Sequence, residues 1–193
     1  MRVIAGIARG RPLRAPKGRS VRPTADRVKE AVFSILQSRF PTLAVPVLDL
    51  FAGSGNLGIE ALSRGATEVV FVEPARGAAA AIRGNLAAAG FAGEVLAMTA
   101  ARALAVLATR GRRFGGVFMD PPYHYGWVQR TLAALATSGI VEPGGWVVVE
   151  HGRDEEPAER VGALRRADQR RYGDTRVALF MAAPAEECTH GVA

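Results

Sequence analysis

From residue 47 onward the chain keeps one rhythm, a short apolar run, a turn, then a stretch with helical spacing. Val47-Leu48-Asp49-Leu50, Glu68–Glu73, Glu94–Met98, Gly116–Met119 and Trp146–Glu150 read as strands, and Asn56–Arg64, 75–89, Ala100–Thr109 and Trp127–Thr137 read as the helices between them. Strands so short and so apolar must be covered on both faces. Parallel neighbours need long crossovers, which the helices supply, so the pattern predicts an α/β fold with a mostly parallel sheet. The end of the chain departs from the rhythm. Residues 161–167 and 175–182 both look extended around Tyr172-Gly173-Asp174, which predicts a closing antiparallel hairpin. Upstream, Thr24 reads as the N-cap of a helix with Asp26 in its first turn, and Pro41 and Pro46 close that helix and open a linker.

Charge is distributed unevenly. The 193 residues carry a net +7, and residues 1–30 hold nine Lys/Arg against the two acids Asp26 and Glu30; the rest of the chain balances sixteen of each sign. A basic arm of residues 1–22, expected to form a short hairpin of Val3–Ile7 and Pro12–Arg14 around Arg9-Gly10-Arg11, thus precedes a neutral domain of residues 23–183 and a tail of residues 184–193, expected to be flexible. Such an arm is suited to a phosphate backbone, with Arg2, Arg9, Arg11, Arg14, Lys17, Arg19 and Arg22 as the candidate contacts. A merely solvated tail has the same composition. Arg165, Arg166, Arg170 and Arg171 extend the basic surface or, beside Asp168 and Asp154-Glu155-Glu156, form an ordinary solvated face. One cysteine, Cys188, allows no intramolecular disulfide, and His124, His151 and His190 do not pair at metal-ligand spacing, so no metal is expected. With no apolar run long enough for a membrane span and no signal-peptide h-region, a cytoplasmic home is expected.

Two motifs carry chemistry. Asp120-Pro121-Pro122-Tyr123 follows the apolar run Gly116–Met119, at the carboxyl end of a strand, where open α/β sheets place their ligands. Asp120 and the Pro121 carbonyl can accept hydrogen bonds from an exocyclic base amine, Pro122 stiffens the turn, and Tyr123 offers a face for an extruded base. That set suits methyl transfer to a nucleobase amine; the plain alternative is a strand ending in a proline turn. Tyr125 and Trp127 follow, either lining a base pocket or, for Trp127, anchoring the next helix. The second motif is Asp49-Leu50-Phe51-Ala52-Gly53-Ser54-Gly55-Asn56-Leu57-Gly58, a glycine turn between the first strand and its helix, with Glu73 at the end of the second strand positioned to accept ribose hydroxyls. Glycines at this spacing also fit a nicotinamide enzyme, but hydride transfer has no use for the Asp120 loop.

Together these segments resemble the class I S-adenosylmethionine-dependent methyltransferases. The N-terminal text Arg2-Val3-Ile4-Ala5-Gly6, Arg9-Gly10-Arg11 and Arg22–Phe33, with Leu62–Ala66 and Tyr172–Thr175, resembles the RsmD family over roughly residues 1–182. The resemblance implies a Rossmann-like, mostly parallel seven-stranded sheet with helices on both faces. It implies S-adenosylmethionine as methyl donor without a metal, and the N2 amine of one guanine in 16S rRNA of the assembled small ribosomal subunit as acceptor. It further implies a monomer. Donor contacts would come from Asp49, Phe51, Gly53, Ser54, Gly55 and Glu73, with Thr24 and Arg27 closing over the donor; Asp120, Pro121, Pro122 and Tyr123 would hold the guanine. The family often carries Asp or Asn after the third strand; here the segment reads Met98-Thr99-Ala100-Ala101-Arg102, which leaves the adenine contact to a backbone amide or Thr99. The alternatives are a DNA adenine-N6 methyltransferase and a non-catalytic RNA-binding module on the same fold.

Overall fold

The computed structural model describes residues 1–15, 24–122 and 125–184, with the side chains of Thr24 and Ala25 excepted. The chain divides into two compact units, Met1–Ala100 and Ala101–Ala193.

The first unit contains α1 (Thr24–Arg39), β1 (Pro46–Leu50), α2 (Asn56–Ser63), β2 (Glu68–Val72), α3 (Arg76–Ala89) and β3 (Glu94–Leu96). Its strands lie side by side as β3-β2-β1, all parallel, and the register sets Asp49 beside Phe71 and Leu50 beside Val72. Every residue of β2 after Glu68 is buried, as a strand with helices on its crossovers requires. The alanine-rich α3 ends where Gly90 turns to φ 79° and donates its N–H to the Ala87 carbonyl, a left-handed stop.

The second unit opens with α4 (Ala100–Thr109) and continues through β4 (Phe114–Met119), α5 (Trp127–Ser138), β5 (Val141–Gly152), β6 (Arg160–Val161), β7 (Leu164–Tyr172) and β8 (Thr175–Ala182). Here the order is β4-β5-β8-β7-β6, with β4 and β5 parallel and the remaining pairs antiparallel. Gly116 leaves a space that Trp146 fills. A Cβ there would lie 2.1 Å from the indole, and the indole packs at 5.0 Å against the Phe118 ring. β4 is therefore locked to β5 just behind Asp120.

The described residues hold eight strands, not seven. The extra one is β6, created because Gly162 (φ 57°) reverses the chain and lets Arg160 and Val161 pair with Arg165 and Leu164. Within the closing hairpin, the first arm lies at Leu164–Tyr172 and not at 161–167. β5 starts at Val141, five residues before the expected Trp146, because Gly144-Gly145 continue the strand through a register shift. Thr24 stands inside α1 and not ahead of it.

The basic hairpin also has a different register. Arg2 bridges Pro12, and Val3 donates its N–H to the Arg11 carbonyl (2.9 Å) while its own carbonyl accepts the Gly10 N–H (2.9 Å). Residues 4–9 are its loop, not its first arm. Far from trailing in solvent, residues 1–15 bury Val3, Ala8 and Leu13. The Glu60 carboxylate of α2 accepts the N–H groups of Ile4 (2.8 Å) and Ala5 (3.0 Å), and Ser63 Oγ accepts that of Ala8 (3.0 Å). Asn85 of α3 pairs with both the N–H and the carbonyl of Arg14 (2.8 and 3.0 Å). Lys17, Arg19, Arg22 and residues 185–193 of the tail lie outside the described residues.

Candidate active site

In the first unit the glycine turn is held by β2. The N–H groups of Phe51 and Ala52 both donate to the Val72 carbonyl (3.1 and 3.0 Å), and Gly53 N–H donates to Glu73 Oε2 (3.0 Å). This pinning forces Phe51 to φ 83°, the one left-handed non-glycine residue of the described backbone. Such a conformation costs on the order of 1 kcal/mol and persists only where the surroundings over-determine it, typically at ligand sites. Gly53 (φ 57°) and Gly55 (φ 77°) complete the turn, and Gly55 caps α2. Gly58 has a packing role: a Cβ there would meet the Phe71 ring at 2.3 Å.

The two acids of this turn differ in their surroundings. Glu73 is buried, and besides Gly53 its carboxylate accepts the Ala75 N–H at 2.9 Å, so it fastens both the turn and the start of α3. Asp49 is buried at 3% exposure and accepts the Gly58 N–H at 2.9 Å. Burial pushes the Asp49 carboxyl up to about 7, the Gly58 N–H opposes this, and nearby Glu73 adds to the rise. Two acidic side chains around a glycine turn suit a ligand carrying positive charge and vicinal hydroxyls, which is the chemistry of S-adenosylmethionine. Ser54 is buried, and its carbonyl accepts from Asn85 Nδ2 at 2.9 Å. Arg27 is exposed on α1, and the Thr24 side chain lies outside the described residues. A cleft of about 880 Å³ opens beside Glu73, between residues 12–15 and the alanine and glycine face of α3. Glu73 lines this cleft, and the glycine turn does not.

Sequence reasoning missed the polar set behind this turn. Lys29 is almost fully buried and gives its ammonium to the Arg2 carbonyl (2.6 Å), Asn56 Oδ1 (2.8 Å) and Glu60 (3.2 Å). Burial lowers the Lys29 pKa, and Glu60 resists the drop. For Glu60 burial acts upward, but the Ile4 N–H, Arg64 and Lys29 outweigh it and hold the carboxyl below its ordinary value. Asn56, Glu60 and Ser63, spaced by four and three, put polar groups on the buried face of α2; that spacing is the signal that something polar docks there.

In the second unit, β4 is buried along its whole length to Met119, and exposed Asp120, buried Pro121 and exposed Pro122 follow it. Asp120 is thus an exposed residue at the carboxyl end of a rigid, buried strand. Tyr123 and His124 lie outside the described residues. Arg2, Arg9, Arg11 and Arg14 are exposed on the hairpin of the first unit, where Arg11 also donates to the Ala88 carbonyl at 2.9 Å. The arginine cluster of β7 is partly neutralised, because Arg166 pairs with Glu156 (3.0 Å) and Glu159 (3.3 Å), and Arg170 with Asp168 (3.2 Å). None of the helices in the described residues is long and apolar enough to cross a membrane.

The comparisons agree with this architecture. The family model described as "Conserved hypothetical protein 95" matches residues 1–181. "Putative rRNA methyltransferase YlbH" of Bacillus subtilis is 40% identical over 182 residues, covering 93% of this chain and 98% of that protein. "Ribosomal RNA small subunit methyltransferase D" of Escherichia coli is 36% identical over 151 residues, covering 78% and 71% of the two chains. The solved structure "Putative methyltransferase yhhF from Escherichia coli" superposes with a TM-score of 0.80 at 30% identity, covering 95% of this chain and 98% of that one. The α/β fold is that of the S-adenosylmethionine-dependent methyltransferases, and the chain belongs to the Conserved hypothetical protein 95 family, the RsmD family that its motifs resemble.

Proposed function

We propose that this protein transfers a methyl group from S-adenosylmethionine to the N2 amine of a guanine in 16S rRNA of the assembled small ribosomal subunit, acting as a monomer in the cytoplasm. The observation that carries the reaction type is Asp120, an exposed carboxylate at the end of a fully buried strand, followed at once by two prolines. The names of the bacterial relatives support rRNA of the small subunit as acceptor. Nothing specific favours the DNA reading.

The guanine N2 lone pair is delocalised into the ring, so the amine is a weak nucleophile. Asp120 and the Pro121 carbonyl accept its two N–H bonds, favour a more pyramidal nitrogen and stabilise the positive charge that develops on it. Tyr123 stacks on the ring. The bound donor supplies an electrophilic methyl on a sulfonium. The glycine turn and Glu73 fix the donor's orientation, and alignment of the two reactants contributes much of the remaining acceleration. No covalent enzyme intermediate is needed: N2 bonds the methyl as its bond to the donor sulfur breaks, a neutral thioether leaves, and the surplus N–H proton is released to solvent.

The test supplies methyl-labelled S-adenosylmethionine with three acceptors: small subunits lacking the modification, naked 16S RNA, and duplex DNA. N2-methylguanine in subunit RNA, above naked RNA, is the expected outcome. Label only in DNA, as N6-methyladenine, would replace this reading. Donor binding with no label in any acceptor would reject the substrate and favour a binding module.

A further inference from the structure

Among the described residues three large apolar side chains stand exposed, Ile7 at 87%, Tyr125 at 68% and Trp127 at 39%. Two of them flank Gly126, immediately downstream of the Asp120 loop. The same unit buries Phe114, Phe118, Trp146 and Phe180 almost completely, so it does not lack room for aromatics in its core. Their corner is also fixed. Gly126 adopts φ 65°, ψ 19°, where a side chain would be strained, and its N–H donates to Glu155 Oε1 at 3.0 Å. A second tie, Ala158 N–H to Gln129 Oε1 at 3.3 Å, joins the β5–β6 connection to the first turn of α5. Arg130, exposed and three residues beyond Trp127, lies on the same face of α5.

Flat aromatic faces beside an exposed guanidinium are the chemistry of single-stranded nucleic acid recognition, in which bases stack and a cation meets the backbone. We propose that Tyr125 and Trp127 form a stacking platform for the unpaired bases next to the methylated guanine, with Arg130 contacting a phosphate. The inference rests on the function proposed above and extends it. A base that leaves its stack to reach Asp120 deprives its neighbours of their stacking partner, and aromatic faces three and five residues past the Asp120-Pro121-Pro122 run replace it. A protein partner would call for a broader apolar patch than two aromatics at a helix start whose next exposed residues, Gln129 and Arg130, are polar.

Trp127 is one of two tryptophans, and the other, Trp146, is 3% exposed, so emission reports the platform directly. Titration of the protein with a short single-stranded RNA containing guanine should quench the emission saturably, and Trp127→Phe should abolish the quench. With small subunits as acceptor, the Tyr125→Ala/Trp127→Ala double variant should raise KM for the subunit by about tenfold or more, leave the S-adenosylmethionine Kd unchanged, and recover in the Tyr125→Phe/Trp127→Phe pair. RNA binding seen by anisotropy without any change in emission, or a double-alanine KM within twofold of wild type, would overturn the platform while leaving the methyltransferase reading intact. Quenching by RNA without methyl transfer by the wild-type protein would do the reverse.

Discussion

Asp49 and Asp120 are both aspartates at strand ends, yet one is buried and the other open, and their chemistry diverges accordingly. Asp49 holds its proton up to about 7, against 3.8 for an ordinary carboxyl, because it is buried. Between those pH values the unfolded chain has released this proton and the folded one has kept it. Asp49 therefore makes stability fall as pH rises through that window and is without further effect above it. Asp49→Asn keeps an acceptor for the Gly58 N–H and removes the titration, so thermal melts of the variant should show a flatter pH dependence than wild type. If the ionised carboxylate faces the cationic donor, S-adenosylmethionine binding at pH 6 releases a proton, read by calorimetry in buffers of different ionisation enthalpy. The proton release should vanish in Asp49→Asn, and equal heats in all buffers for wild type would show that Asp49 only braces the turn. Asp120 stands exposed just past β4. In Asp120→Ala, loss of this acceptor in the transition state should lower kcat by about a hundredfold or more with donor Kd unchanged. A variant near wild-type rate would remove Asp120 from the mechanism.

The hairpin and α2 act as one joint. Gly6 sits at φ 82° against α2, and a Cβ there would fall 1.8 Å from the Ser63 carbonyl oxygen, a backbone atom that cannot yield. Gly6→Ala should undock the hairpin, seen as lost hydrogen-exchange protection at the Ile4, Ala5 and Ala8 amides that α2 side chains now hold. Unchanged protection would mean the hairpin docks without that close approach. Lys29→Met strands the buried Glu60 with only Arg64 and two amides, and should lower stability by about 3 kcal/mol in denaturant melts. The one trace of this joint in the sequence is the polar spacing of Asn56, Glu60 and Ser63, whereas the strands and helices were plainly visible. Apolar runs such as Val69–Val72 declare a buried strand by themselves, and Gly90 or Gly139 declares a stop. Docking depends on which polar groups of a distant segment need partners, and Glu60 reads in isolation like any surface glutamate. The hairpin register failed for the same reason. Val3–Ile7 is an apolar run like a strand, but Glu60 and Ser63 claim its amides and turn it into a loop. The positions of Glu73 and Asp120, directly past β2 and β4, were legible because strand ends in this fold are fixed by topology.

Formal charge misleads unless each cation is traced to its partner. The net +7 falls within residues 1–30, while β7 adds a second run of arginines. On β7 the charge is spent internally, Arg166 on Glu156 and Glu159 and Arg170 on Asp168. Glu156, also held by Arg176 at 3.0 Å, is lowered in pKa first by its hydrogen bond from Arg166, so these ion pairs persist at physiological pH. The hairpin differs. Its acidic contact, Glu60, engages backbone amides and Lys29 and leaves the exposed guanidinium groups of Arg2, Arg9 and Arg14 turned to solvent. Docking supplies what a loose tail lacks, because cations held on a fixed surface meet phosphates without a further loss of side-chain and backbone entropy. Each phosphate neutralised contributes about 0.7–0.9 to the slope of log affinity against log salt. Substituting Arg2, Arg9 and Arg14 together by Gln should therefore reduce the slope for RNA binding by about 2, with donor affinity unaffected. Arg170→Gln, which removes a cation already paired with Asp168, should leave the slope nearly where it was. Equal effects from the two substitutions would show that RNA opens the β7 ion pairs and that the basic surface extends well beyond the hairpin.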